Sequence, residues 1–141
     1  MTRRWIAMLV GTSLLAVSAC SGGSTHEVEP STPAASTNLA IEVQEFHFSP
    51  SVVAVPAGEQ VSVTVANSGT LKHEWVIIAK GHELDEQHKF SESAVLFEVD
   101  DIANGTQKTS TFTIAQPGRY QLICAIEGHF DAGMHASLVV V

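Results

Sequence analysis

From Leu39 onward the apolar residues recur at every second position, and that period decides what the chain can fold into. Leu39, Ile41 and Val43 alternate with polar neighbours, and Val61, Val63 and Val65 enclose Ser62 and Thr64. His73, Trp75 and Ile77 share one phase, as do Tyr120, Leu122 and Cys124. A period of two marks strands with one buried face. The phase slips to Phe46 and Phe48, which predicts a bulge or bend near Glu45. Turn signals at Pro56-Ala57-Gly58, Asn67-Ser68-Gly69-Thr70, Asn104-Gly105 and Pro117-Gly118 cut the pattern into short lengths. Further strands are expected over 51–55, 109–114 and 136–141. About seven short strands with regular turns predict an all-β fold, a Greek-key antiparallel β-sandwich. Residues 79–107 are too long for a plain loop. His82–Phe90 has good helix formers and few β-branched residues, so a short acidic helical excursion is expected there, followed by a strand over Ala94–Val99.

The N-terminal residues follow another logic. Arg3 and Arg4 precede an apolar run, Trp5 to Val17, that is short for a membrane span, and small residues then lead to Cys20. The pattern resembles a bacterial lipoprotein signal: residues 1–19 as signal peptide, Cys20 as the lipid attachment site, and 20–38, rich in Ser, Thr, Pro and Gly, as a lipidated flexible tether. The diacylglyceryl group implied by that resemblance would supply the two acyl chains that stable anchoring requires. The expected location is the cell envelope, outside the cytoplasm. Residues 39–141 remain as one domain, large enough for a core of its own.

Without Arg3 and Arg4 the chain carries five basic against fifteen acidic residues, a formal charge of −10. Such a balance argues against nucleic acid and against electrostatic attraction to anionic lipid. The chain has two cysteines. If Cys20 carries lipid, Cys124 has no partner, and a lone thiol in an oxidising compartment calls for an explanation. Metal ligation supplies one. Cys124, His129 and Met134 fall in one short stretch, C-A-I-E-G-H-F-D-A-G-M, with four residues in each gap. A thiolate, an imidazole and a thioether make a soft site, suited to copper rather than magnesium or calcium. His73, at the mouth of an apolar strand about fifty residues upstream, is the candidate for a second imidazole. Two histidines and a cysteine with a weak axial methionine form the ligand set of a blue-copper electron-transfer centre. His129, on the loop tip, is expected nearest solvent. Ile126, Phe130 and Ala132 would form an apolar collar around it where a partner docks.

These residues carry a family resemblance. E-F-H-F-S-P-S-V-V-A-V-P-A-G, H-E-W-V-I and P-G-R-Y-Q-L-I-C-A-I-E-G-H-F-D-A-G-M resemble the cupredoxins, the plastocyanin and azurin type of blue-copper protein. The C-x4-H-x4-M spacing is similar to that of rusticyanin. The resemblance covers residues 39–141 and implies a single copper cycling between Cu(I) and Cu(II). Two departures stand out. Glu74 follows the first histidine where Asn or Ser is frequent, and Ala125 follows the cysteine where Ser or Thr could donate a hydrogen bond. Gly128 stands where a binuclear centre would need a second cysteine, so one copper is expected.

His26 belongs to the tether, His47 is expected on an exposed strand face, and His135 should point away from Met134. A weaker copper site near His82, Glu83 and His88 stays open. The expected function is electron transport: a monomeric, membrane-tethered one-electron carrier, not an enzyme, serving redox proteins such as c-type cytochromes or an oxidase. The alternative is a copper chaperone or buffer delivering metal to an envelope oxidase. Against it stand the methionines, three in all with two in the signal. A copper enzyme would need further histidine clusters, and a metal-free binding module would leave Cys124 unexplained.

Overall fold

A computed structural model describes residues 31–141. The expected signal peptide, Cys20, His26 and most of the expected tether lie outside the described residues. Nine strands follow in order: β1 (Asn38–Gln44), β2 (His47–Ser49), β3 (Val52–Val55), β4 (Gln60–Asn67), β5 (His73–Ile78), β6 (Val95–Ile102), β7 (Gln107–Thr113), β8 (Gly118–Ile123) and β9 (His135–Val140). They form two sheets, ordered β2-β1-β4-β7 and β3-β9-β8-β5-β6, facing each other as a β-sandwich.

The alternating residues do what their period requires. Leu39, Ile41 and Val43 from β1, Val61, Val63 and Val65 from β4, and Trp75, Ile77, Leu122 and Leu138 from the other sheet share one core. The slip at Glu45 is neither bulge nor bend but a chain reversal. Glu45 and Phe46 form the turn between β1 and β2, which pair antiparallel with Gln44 opposite His47. His47 is exposed, as its phase implied.

Two pairings are parallel rather than antiparallel: β1 with β4, and β3 with β9. The second follows a change of sheet at Pro50. Between β2 in one sheet and β3 in the other, the chain changes sheets at a residue with no N–H to continue the ladder. The switch lays β3 alongside β9 in the same direction, and with β1 parallel to β4 in the other sheet, both sheets are mixed.

The acidic helix over His82–Phe90 does not form. Single 3-10 turns at Gln87–Lys89 and Glu92–Ala94 take its place. Helix propensity is a weak prior that tertiary bonds override, and here the bonds are visible. The Gln121 side chain accepts from Leu84 N–H and donates to Leu84 C=O, both at 2.8 Å. Gln87 N–H donates to Asp131 at 2.9 Å, and the Gln87 side-chain carbonyl accepts from Phe130 N–H at 2.9 Å. These contacts stretch the segment over the outer face of β5 and β8. Leu84 and Ala94 there join Val76, Ile78, Ile123 and Phe130 in a second apolar cluster. The strand expected after the segment is present as β6.

Antiparallel register between β5 and β8, Val76 opposite Ile123 and Ile77 opposite Leu122, sets the beginning of β5 beside the end of β8. That places His73 and Cys124 at one end of the sandwich. Tyr120 ties the approach to β8, its hydroxyl donating to Gln116 C=O at 2.7 Å.

Two substitutions separate apolar packing from this hydrogen bond. Leu138 is fully buried, and Leu138→Ala should cost about 2–5 kcal/mol through lost transfer energy and a cavity. Tyr120→Phe removes one hydrogen bond and should cost about 0.5–1.5 kcal/mol. Urea unfolding of the metal-free protein measures both.

Candidate metal centre

Cys124 leaves β8, and Met134 immediately precedes β9. The loop between them is closed at its base: Cys124 N–H donates to Met134 C=O at 3.2 Å, and Met134 N–H to His129 C=O at 3.0 Å. Within it, Ala132 N–H reaches Gly128 C=O and Gly133 N–H reaches Phe130 C=O. The chain turns through positive φ at Gly128 (81°) and Gly133 (101°), where a side chain would be strained. The sequence thereby folds the loop back so that cysteine, histidine and methionine converge.

His73 is held by the turn before β5. Asn67 is buried, and its amide donates to Leu71 C=O at 2.7 Å and Ile102 C=O at 2.9 Å, while its carbonyl accepts from Gly69 N–H. Glu45, from the β1–β2 turn, accepts from the N–H groups of Thr70 and Leu71 and lies 3.4 Å from His73 Nε2. These backbone bonds, that of Leu71 foremost, hold its carboxyl down to about 2.

The donor atoms of His73, Cys124 and His129 all lie within 4.8 Å of one another. Cys124 Sγ is 3.4 Å from His129 Nδ1, and the two imidazole centroids are 5.0 Å apart. His73, Cys124 and Met134 are fully buried; His129 keeps 7% exposure and is the ligand candidate nearest solvent. Burial pushes both imidazoles below their ordinary pKa, towards the neutral form that ligates, and lifts the Cys124 thiol. Two backbone N–H groups, Ile126 and Glu74, oppose that lift, the latter donating to Sγ at 3.4 Å. Glu74 thus links the two ligand segments through its backbone, whatever its side chain. Burial, with Glu98 nearby, raises its own carboxyl.

Phe130 does not join the expected collar. It is buried in the second apolar cluster, because the loop's last turn carries its ring beneath the 79–94 segment. Ile126 is half-buried against the main core, and Ala132 is exposed. The aromatic beside the site is Phe46, 36% exposed, with its ring edge-on to His129 at 5.0 Å. Only the phase slip at Glu45 hinted at this placement. Among the described residues no second group of three such donors comes together, so His82, Glu83 and His88 are not assembled as a site. His135 is exposed and stacks near Phe130.

A family model described as a cupredoxin-like domain matches residues 7–140. The chain belongs to that family. Copper-resistant cuproprotein CopI of Rubrivivax gelatinosus is 31% identical over 103 residues, 66% of this chain and 59% of that protein, so the chain spans under two thirds of that relative. Auracyanin-A of Chloroflexus aurantiacus is 24% identical over 160 residues, covering 99% of this chain and 98% of the relative. The structure of reduced auracyanin from Roseiflexus castenholzii matches with a TM-score of 0.66 at 22% identity, over 77% of this chain and 99% of that one. At that identity the structural likeness is one of fold.

The cupredoxin site fits a copper ion on its own chemistry. His73 Nδ1 is buried without a hydrogen-bond partner among the described residues, a costly state for a polar atom unless something is bound there. It shares its pocket with a thiol and a second imidazole, soft and borderline donors that suit copper. His73, Cys124, His129 and Met134 form a cluster that could hold the metal.

The turn before β5 depends on one side chain. Asn67→Ala leaves two carbonyls without their donor and should lower stability by about 1–3 kcal/mol, read as a shift in the urea midpoint of the metal-free protein.

Proposed function

We propose that the protein is a mononuclear type 1 copper carrier, passing one electron at a time between redox proteins at the cell envelope. The observation that carries this reading is the buried triad of His73, Cys124 and His129, fixed by a rigid sandwich on one side and a closed loop on the other. Copper bound there would supply a one-electron Cu(I)/Cu(II) couple. The protein's part is to resist rearrangement. The Glu74 and Ile126 N–H groups support a thiolate, and the paired ends of β5 and β8 hold the two segments at a set separation. Full burial of three donors excludes water from the centre.

His129 is the way in and out. Its partly exposed edge lies beside Phe46, with Ile126 and Ala132 on the same loop, and this apolar rim suits close approach by a redox protein such as a c-type cytochrome or an oxidase. The chain acts as a monomer, and Cys20, lipidated, holds the domain to the membrane through the 20–38 tether. The name of CopI supports a second reading, copper handling. Against it, delivery favours exposed, exchangeable ligands, whereas these are buried.

Visible and EPR spectra after Cu(II) addition should show an intense thiolate-to-copper band with narrow hyperfine splitting. Cys124→Ser should abolish it. A pale spectrum, or one indifferent to the substitution, would favour copper handling. Cys20→Ser should move the protein from the membrane to the soluble fraction, scored by immunoblot, and unchanged partition would sink the anchor.

A further inference from the structure

Glu45 is not placed like an ordinary turn acid. Its Oε1 accepts from Thr70 N–H and Leu71 N–H, each at 2.6 Å, and makes a longer contact of 3.4 Å with His73 Nε2. Gly69 completes the cradle. A Cβ there would stand 2.6 Å from Oε1 and 2.9 Å from Cδ and Oε2, so the carboxylate occupies the space a side chain would fill. On the far side of the same imidazole, Nδ1 is buried and has no partner among the described residues. A neutral imidazole has one N–H, and the group at one nitrogen decides which nitrogen is free to ligate.

We propose that Glu45 is the positioning residue for His73: its carboxylate accepts a hydrogen bond from Nε2–H, turns Nδ1 towards the metal, and biases the site towards Cu(II). The inference rests on the electron-carrier reading for its redox half and on geometry alone for its tautomer half. A carboxylate behind a metal-bound histidine fixes the ring and makes it a stronger donor, and losing such a partner typically costs about 10–100-fold in metal affinity. Negative charge close to the centre favours the more highly charged ion. Glu45 therefore works against Met134, whose neutral thioether favours Cu(I).

The test begins with 15N NMR of the metal-free protein, which should find the His73 proton on Nε2; a proton on Nδ1 overturns the inference whatever copper does. Copper-loaded Glu45→Gln keeps an oxygen for Thr70 and Leu71 but loses the charge. Its Cu(II) affinity should fall about 10–100-fold, its Cu(I) affinity less, and its reduction potential should move positive. Each tenfold difference between the two losses is 59 mV for a one-electron couple. Gly69→Ala displaces the carboxylate without neutralising it and should shift the potential in the same direction, which keeps the test alive if Glu45→Gln fails to fold. Unchanged potentials in both variants, with only a lower unfolding midpoint, would make Glu45 a clamp for the turn and nothing more. A wild-type protein lacking the thiolate–copper band would sink the carrier reading alone, and the tautomer result would still decide Glu45.

Discussion

The N–H of Glu74 points at Cys124 Sγ across 3.4 Å, joining the start of β5 to the loop after β8. Around this bond the energetic difficulty of the domain is concentrated. A thiol and two imidazoles are withdrawn from water, and one imidazole nitrogen has no partner among the described residues. Buried polar groups normally destabilise unless satisfied. The surrounding sandwich, with Trp75, Ile77, Leu122 and Leu138 fully or almost fully buried, provides the apolar stabilisation that lets such a cluster persist. Metal binding would add to it, because ligation and folding share one free energy.

Much of this was legible in the residues. Alternation in Val61–Val65 and Leu39–Val43 reads directly as strand because one face of each sheet must be apolar, and the observed burial follows that phase. The donor loop was legible because its chemistry is local: Cys124, His129 and Met134 lie close in sequence, and the two glycines permit the turns. Direction and sheet membership were not. Nothing in the local pattern of β3 says that Pro50 sends it to the opposite sheet, since parallel and antiparallel neighbours present the same period. Glu45 and Phe46 escaped for a related reason. The slip between Val43 and Phe46 announced a change of course but not which distant segment the turn would meet.

The 79–94 segment shows composition and context in conflict. Good helix formers gave way because β5 and β8 expose Val76, Ile78 and Ile123 on the face turned away from the main core. Covering those residues with Leu84, Ala94 and Phe130 requires an extended path, with side-chain bonds from Gln121 and Gln87 replacing helical ones. The same demand draws Phe130 off the surface. The strand that begins with His73 is therefore buried on both faces.

His129 alone among the four donors touches the surface, at one end of the sandwich beside Phe46. A centre with one window cannot be a wire. Under the proposed carrier function, donor and acceptor would share that patch, so each encounter would have to end before the next begins. Throughput in such a design is set less by tight docking than by brief docking. The small, half-apolar rim around His129 suits contacts of that kind, made and broken quickly.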